Sequence, residues 1–404
     1  MKLPQHVKNC IDALEVAGFS AYAVGGAVRD GLLGLEPADW DVTTSAKPEE
    51  ILRVFESERT IPTGIKHGTI TVLVDTVGGE RVPIEITTFR IDGEYKDSRH
   101  PESVEFSTDV LDDLSRRDFT VNAMAFNEKR GIIDGFGGIA DLKNKVIRAV
   151  GNPQKRFTED ALRILRAFRF SAQLGFEIET NTLEGAFSCA HLLKNIARER
   201  IGVEFKKLLA SKGVAYALEK MVEGNVWGEI FEIDVPDLSV ISSLPRLECD
   251  SPVARLSILI AEYSEIQRND ILDGLRLSNA EKKLALRLIS VKNFDIDGQD
   301  AGVVARKFLH YFDDIFELAF PLLRFYNPRC EELFEEICAE KSKKRVLNIS
   351  SLALKGTDLL PLCESDHKKV GILLNELLKI VIEKPELNEK ETLMSIAKNI
   401  LETK

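Results

Sequence analysis

The sequence predicts a mixed α/β head followed by an all-helical remainder, and three observations carry that expectation. Over the first 147 residues, short apolar strands such as AYAVGG, TITVLV and VPIEITTF alternate with short helical patterns such as KPEEILRVF. From about residue 153 onward, apolar residues recur at helical spacing, most clearly in EDALRILRAFRFSAQL, GVEFKKLLA, AEKKLALRLI and GILLNELLKIVI. The chain has 404 residues, 44% of them hydrophobic, which is too long for one ordinary domain and ample for a core. Breaks are expected near Gly151-Asn152-Pro153, within VPDLSVISSLPRLECDSP and near DIDGQDAG.

Composition narrows the function. A net charge of -11 disfavours general nucleic-acid binding, so an RNA partner would have to be met by local basic patches. Six cysteines without a CxxC pair or a histidine cluster argue against structural zinc and for a reducing compartment. The opening MKLPQHVKNC has no secretory apolar run, and no stretch approaches the roughly 18 apolar residues of a membrane span. A cytoplasmic protein with no membrane partner is expected.

The first informative segment is AYAVGGAVRDGLLGLEPADWDVTT. It starts as a strand, turns at Gly25-Gly26 and enters a helix carrying Arg29 and Asp30. Adjacent glycines let backbone N–H groups approach phosphate oxygens, and Arg29 one turn on adds a charged clamp. In DWDVTT, Asp39 and Asp41 are i and i+2 of an expected strand, which places two carboxylates on one face. Such a pair suits hard cations, and two Mg2+ there would activate a hydroxyl and neutralise a leaving pyrophosphate. Glu85, in VPIEITTFR, is a candidate third carboxylate on a neighbouring strand, or else a solvated strand-face residue.

GGAVRDGLLG and DWDVTT are followed by RRDFTVNAMAF (116–126), DGFGGIADL (134–142), EDALRILRAFRF (159–170) and RERIGVEF (198–205). In this order they resemble the motifs of the CCA-adding tRNA nucleotidyltransferases and their relatives, the bacterial poly(A) polymerases. The resemblance implies a polymerase-β-like nucleotidyltransferase head at 1–147, then helical neck, body and tail domains at 148–207, 208–292 and 293–404. It implies that Asp39 and Asp41 are the catalytic metal pair and that Gly26 and Arg29 serve the triphosphate. Arg117 and Asp118 would meet the nucleotide, Asp118 at the ribose hydroxyls with Asn122 supporting it.

Base choice is expected from EDALR. On a continuous helix, Asp160 and Arg163 at i and i+3 share one face, an acceptor beside a row of donors. Cytosine and adenine each offer an amino donor next to a ring acceptor and complement the pair, whereas uracil and guanine present the reverse pattern and are rejected. Arg166 and Arg169 continue the row and are read as phosphate contacts, with solvated arginines as the alternative.

The segment FRIDGEYKDSRHPESVEF (89–106) resembles the flexible loop of complete CCA-adding enzymes, which disfavours a CC-only activity. A basic G-R/K-R/K-F stretch typical of the poly(A) polymerases is replaced by TIPTGIKHGTITVLV. Lys341, Lys343, Lys344, Arg345, Lys355, Lys368 and Lys369 form a candidate phosphate-binding surface in the tail, or ordinary solvated helix faces. The expected activity is template-independent addition of CCA to tRNA from CTP and ATP, with Mg2+ as cofactor and no obligate protein partner. The alternatives are a poly(A) or A-only polymerase and, more distantly, a non-catalytic RNA-binding protein.

Overall fold

A computed structural model of the chain describes residues 1–76, 79–93, 103–297, 300–343, 347–363 and 366–402. These gather into two compact units, Met1–Pro245 with Tyr263–Ser278, and Arg246–Glu262 with Asn279–Lys404. Among the described residues, no helix is long and apolar enough to cross a membrane.

The first unit opens with α1 (Gln5–Val16), which buries Val7, Cys10, Ile11 and Leu14 at the spacing of one helical face. Then follow β1 (Ala21–Val24), α2 (Gly26–Leu32), β2 (Asp41–Thr44), α3 (Pro48–Val54), β3 (Arg59–Gly64), β4 (Thr69–Asp75) and β5 (Arg81–Thr88). The short β6 (Arg90–Asp92) and β7 (Val104–Phe106) pair antiparallel, and α4 (Val110–Ser115), β8 (Ala125–Asn127), β9 (Gly131–Ile133) and α5 (Gly138–Asn144) complete the head. Seven strands form one sheet in the order β3-β4-β5-β2-β1-β8-β9. Among the described residues its only parallel neighbours are β2 and β5, in the register Asp41↔Glu85 through Thr44↔Thr88. Strand alternation does the positioning: on β5, Ile84, Ile86 and Thr88 are buried while Glu85 between them is exposed.

The excursion expected at 89–106 is bounded by the β6–β7 pair, and its centre, 94–102, lies outside the described residues. The helical part of this unit begins with β10 (Val146–Ile147), which pairs with β11 (Glu177–Ile178) around α6 (Pro153–Glu159) and α7 (Leu162–Leu174). It continues through α8 (Thr180–Cys189), α9 (Arg198–Leu209), α10 (Val214–Glu223), α11 (Val226–Phe231) and α12 (Leu238–Ser243). After α13 (Pro252–Leu259), which belongs to the other unit, α14 (Glu265–Gly274) returns to this one. Helix α7 packs between α9 and α10, and Phe205, Trp227 and Phe231 make edge and tilted ring contacts beside them. Gly202 on α9 lets α14 approach closely: a Cβ there would stand 2.2 Å from the Leu275 carbonyl oxygen.

The second unit holds α13, α15 (Asn279–Ser290), α16 (Ala301–Phe312), α17 (Phe316–Tyr326), α18 (Glu331–Ser342), α19 (Gly356–Leu359), α20 (His367–Glu383) and α21 (Lys390–Glu402). Phe308 is its aromatic centre, in ring contact with Phe294, Phe312, Phe316 and Phe320. A second cluster gathers Leu373, Leu377 and Val381 of α20 with Leu352, Leu359 and Leu393. Arg306 donates to the carbonyls of Ile382 and Glu383 at 2.6 and 3.1 Å, satisfying the last turn of α20. Of the tail cations singled out in the sequence, Lys341 pairs with Asp313, Lys343 with Glu340, and Lys355 donates to the carbonyls of Ser350 and Leu352. Lys344 and Arg345 lie outside the described residues. Residues 208–292, expected as one body, contribute to both units.

Candidate active site

Two carboxylates, Asp41 and Glu85, stand together where β2 and β5 lie side by side, with Asp39 near enough to act on Asp41 electrostatically. Asp41 begins β2, and its register partner across the parallel ladder is Glu85, so the two side chains stand on one face. Asp39 does not share the strand, contrary to the sequence expectation. The hydrogen-bonded ladder starts at Asp41 and Asp39 lies in the exposed approach to it. Burial raises the pKa of Asp41, the nearby Glu85 and Asp39 raise it further, and Arg117 opposes them. That mutual repulsion is what a cation would relieve, and oxygen donors of this kind suit Mg2+. Among the described residues, no three acidic, histidine or cysteine side chains are already gathered into a metal cluster. A cavity of about 800 Å³ reaches Asp39 and Trp40 from the side of Met1 and His6.

Gly25 follows Val24, the register partner of Asp41, so the glycine turn lies beside the carboxylates. Its φ of 78° is one that L side chains rarely adopt, and a Cβ there would meet Arg117 Nη1 at 3.1 Å. Helix α2 starts at Gly26 as expected. Arg29, expected at the triphosphate, is only 4% exposed: its guanidinium lies beside Gly26, pairs with Asp30 at 2.8 Å and donates to Asn122 Oδ1 at 2.7 Å.

Asn122 in turn donates to Asp118 Oδ1 at 3.2 Å, which also accepts from the Phe119 amide at 2.8 Å. Arg166 closes on the other oxygen of Asp118 through Nη2 at 2.6 Å and Nε at 2.8 Å. Burial alone would raise the pKa of Asp118, but Arg166, the Asn122 hydrogen bond and Arg163 hold it down at about 2. Arg169 is 6% exposed, with Nε on Glu204 at 2.5 Å and Nη1 on Gln173 at 2.8 Å. Arg169, expected from the sequence at a phosphate, is thus held in an internal ion pair. Phe170 is the common floor, with the guanidiniums of Arg29, Arg166 and Arg169 lying 5.1, 5.2 and 3.7 Å from its ring centre.

The EDALR segment also departs from expectation. It is not one helix: α6 ends at Glu159, Asp160 is extended (φ -146°, ψ 102°), and α7 begins at Leu162. Asp160 caps the new helix, accepting from the Leu162 amide at 3.1 Å. Its carboxylate is held by both terminal nitrogens of Arg200, at 3.2 and 2.7 Å. Arg163, one turn on, donates to Glu159 at 2.7 Å and to the carbonyls of Arg156 and Arg116 at 3.2 and 3.0 Å. The physical reason for the break is the competition of an aspartate side chain for backbone amides, which favours a cap over a helix interior. A cleft of about 720 Å³ opens alongside, lined in part by Arg116, Arg156, Thr158 and Glu159.

Sequence reasoning passed over Arg200, Glu204, Asp113, Arg116 and Phe170. A signal for two of them was present: Arg200 and Glu204 are i and i+4 within RERIGVEF, one face of one helix.

Comparison with known proteins finds relatives along the whole chain. Residues 21–148 match the family described as Poly A polymerase head domain, and residues 175–239 the one described as Probable RNA and SrmB- binding site of polymerase A. The CCA-adding enzyme of Ligilactobacillus salivarius is 34% identical over 408 residues, covering 100% of this chain and 98% of that one. The crystal structure of Bacillus stearothermophilus CCA-adding enzyme in complex with CTP superposes with a TM-score of 0.81 at 29% identity, covering 100% of both chains. The Thermotoga maritima CCA-adding enzyme complexed with tRNA has the same fold, with a TM-score of 0.68 at 22% identity, covering 98% of this chain and 94% of that one.

Proposed function

This chain belongs to the CCA-adding enzymes, and from that premise we propose that it builds and repairs the 3'-terminal CCA of tRNA from CTP and ATP without a nucleic-acid template. The observation that carries the reading is the juxtaposition of Asp41 and Glu85, with Asp39 nearby, beside the Gly25 turn and Arg117.

Asp39 and Asp41, with Glu85 as third donor, would hold Mg2+, two ions in all. When bound, Mg2+ supplies charge neutralisation for the attacking hydroxyl and the departing pyrophosphate. The chain's own residues do the positioning. The Gly25-Gly26 turn offers its backbone to the triphosphate, while Arg117 beside it adds a cation. Arg29 acts from beneath, braced by Asp30 and Asn122. Asp118, fixed by Asn122 and Arg166, faces the ribose hydroxyls. The tRNA 3'-hydroxyl attacks the α-phosphate in line, and pyrophosphate leaves.

Asp160 and Arg163 select the base. An ionised carboxylate only accepts and a guanidinium only donates, so cytosine and adenine fit where uracil and guanine do not. The two side chains are held by Arg200 and Glu159, and base recognition would exchange part of those pairings for contacts with the nucleotide. We assign catalysis to 1–147, nucleotide choice to 148–207, a helical body to 208–292, and tRNA binding to the helical tail, 293–404. The six free cysteines fit a reducing compartment, the cytoplasm.

The test uses tRNA ending at the discriminator base with labelled CTP alone. Two C additions are expected, with A following when ATP is supplied, and both are abolished in Asp39→Ala/Asp41→Ala. Failure to add C, with A tails from ATP alone, identifies a poly(A) polymerase instead.

A further inference from the structure

Asp113 is completely buried, 0% exposed, and no step above uses it. It sits near the end of α4. Its Oδ1 accepts from Arg116 Nε and Nη2 at 2.9 and 2.6 Å, and its Oδ2 from Arg117 Nη2 at 3.1 Å and Thr43 Oγ1 at 3.2 Å. Thr43 lies two residues beyond Asp41, on the same face of β2. Asp113 is therefore tied directly to the catalytic strand.

Arg117 reaches from Asp113 to the glycine turn. One terminal nitrogen is on Asp113 and the other lies 3.1 Å from where a Gly25 Cβ would stand, next to the residue paired with Asp41. Its Nε is buried without a hydrogen-bond partner, and among the described residues Asp113 is the acceptor that holds this guanidinium. From beside Gly25 the Arg117 guanidinium already acts electrostatically on Asp41 and has a competing destination there, because the carboxylate that would ligate a metal can equally accept from it. Burial would raise the pKa of Asp113, but Arg116 and Arg117 pull it below the usual range.

We propose that Asp113 is a positioning residue that anchors Arg117 at the glycine turn and keeps it from closing on Asp41, leaving that carboxylate available to the divalent cation. This rests on the metal assignment made above. It differs from a purely structural role, because the harm done by losing Asp113 would pass through Arg117 and be undone by removing it.

The experiment is a Mn2+ titration of the full-length protein without nucleotide, followed by electron paramagnetic resonance, with circular dichroism to verify folding. Asp113→Asn should weaken Mn2+ binding by about fivefold, the scale of competition from one solvent-accessible ion pair. Asp113→Asn/Arg117→Met should return it to the wild-type value. If Asp113→Asn proves unfolded, Asp113→Asn/Arg116→Gln, which removes one half-buried cation with the anion, carries the same expected loss. Wild-type Mn2+ binding in the folded Asp113 variant, or no recovery in the Arg117 double variant, would overturn the proposal. An unchanged titration in Asp41→Asn would overturn the metal site itself and this inference with it.

Discussion

At the scale of single residues, the site is held by charge pairs taken out of water, and Asp118 shows how much such a pair can contribute. Its folded pKa of about 2 lies below the ordinary 3.8 because Arg166 and Asn122 favour the anion more strongly than burial disfavours it. A carboxylate depressed in this way contributes stability that is fully present above pH 4 and lost as pH falls through the folded value. The displacement corresponds to about 2 kcal/mol. Asp118→Asn should therefore be less stable than the wild type at pH 7 by at least that amount, since Arg166 also loses its partner. The gap should narrow as pH is lowered from 4 toward 2, read from urea midpoints across that range. A gap independent of pH would show that the carboxylate's charge is not what holds Arg166. The same logic applies to Arg169: in the sequence a row of arginines looks like a row of phosphate contacts, and in the fold Arg169 is paired with Glu204 on another helix. With the partner 35 residues away, the pairing itself cannot be read from the residues around Arg169.

At the scale of elements, periodicity and turn chemistry were readable and helix continuity was not. The strand, glycine turn and helix around Gly25 follow from a run of buried apolar residues meeting a residue able to adopt positive φ. The alternation that exposes Glu85 between Ile84 and Ile86 is equally local. The start of β2 at Asp41, by contrast, depends on which residues find partners on β1 and β5, and the break at Asp160 depends on a cap that competes with the helix and on Arg200. That break yields a prediction that separates recognition from folding. Asp160→Ala removes the cap and the acceptor together and should lose about 1 kcal/mol of stability along with C/A selectivity. Asp160→Asn keeps an oxygen for the Leu162 amide, although it gives up the charge that pairs with Arg200, and adds an amide donor at the base edge, so it should lose less stability than Asp160→Ala and yet admit UTP or GTP. Both variants are assayed with each nucleotide singly and by thermal melting. Intact rejection of UTP and GTP in the asparagine variant would remove Asp160 from base selection.

At the scale of the whole molecule, the change from strand to helical periodicity was legible, but the division into compact units was not. Residues 246–262 leave the first unit and 263–278 return to it, a crossing that depends on tertiary contacts such as α13 with α15 rather than on any linker composition. Each unit carries its own core, the sheet with α7 and its neighbours in one and the Phe308 and Leu377 clusters in the other. Separable melting transitions are therefore expected in differential scanning calorimetry. They can be assigned through Gly202, where a methyl group would stand 2.2 Å from the Leu275 carbonyl oxygen, a backbone atom that cannot swing aside. Gly202→Ala should lower the transition of the unit containing both residues and leave the other in place. A ligand that binds only the folded form at a hundred times its dissociation constant adds about 2.7 kcal/mol to whatever melts with its site. Every residue assigned to CTP lies in the same unit as Gly202, so CTP with Mg2+ should raise the transition that Gly202→Ala lowers. A nucleotide shift confined to the other transition would place the site outside the unit to which Asp41, Asp118 and Asp160 belong.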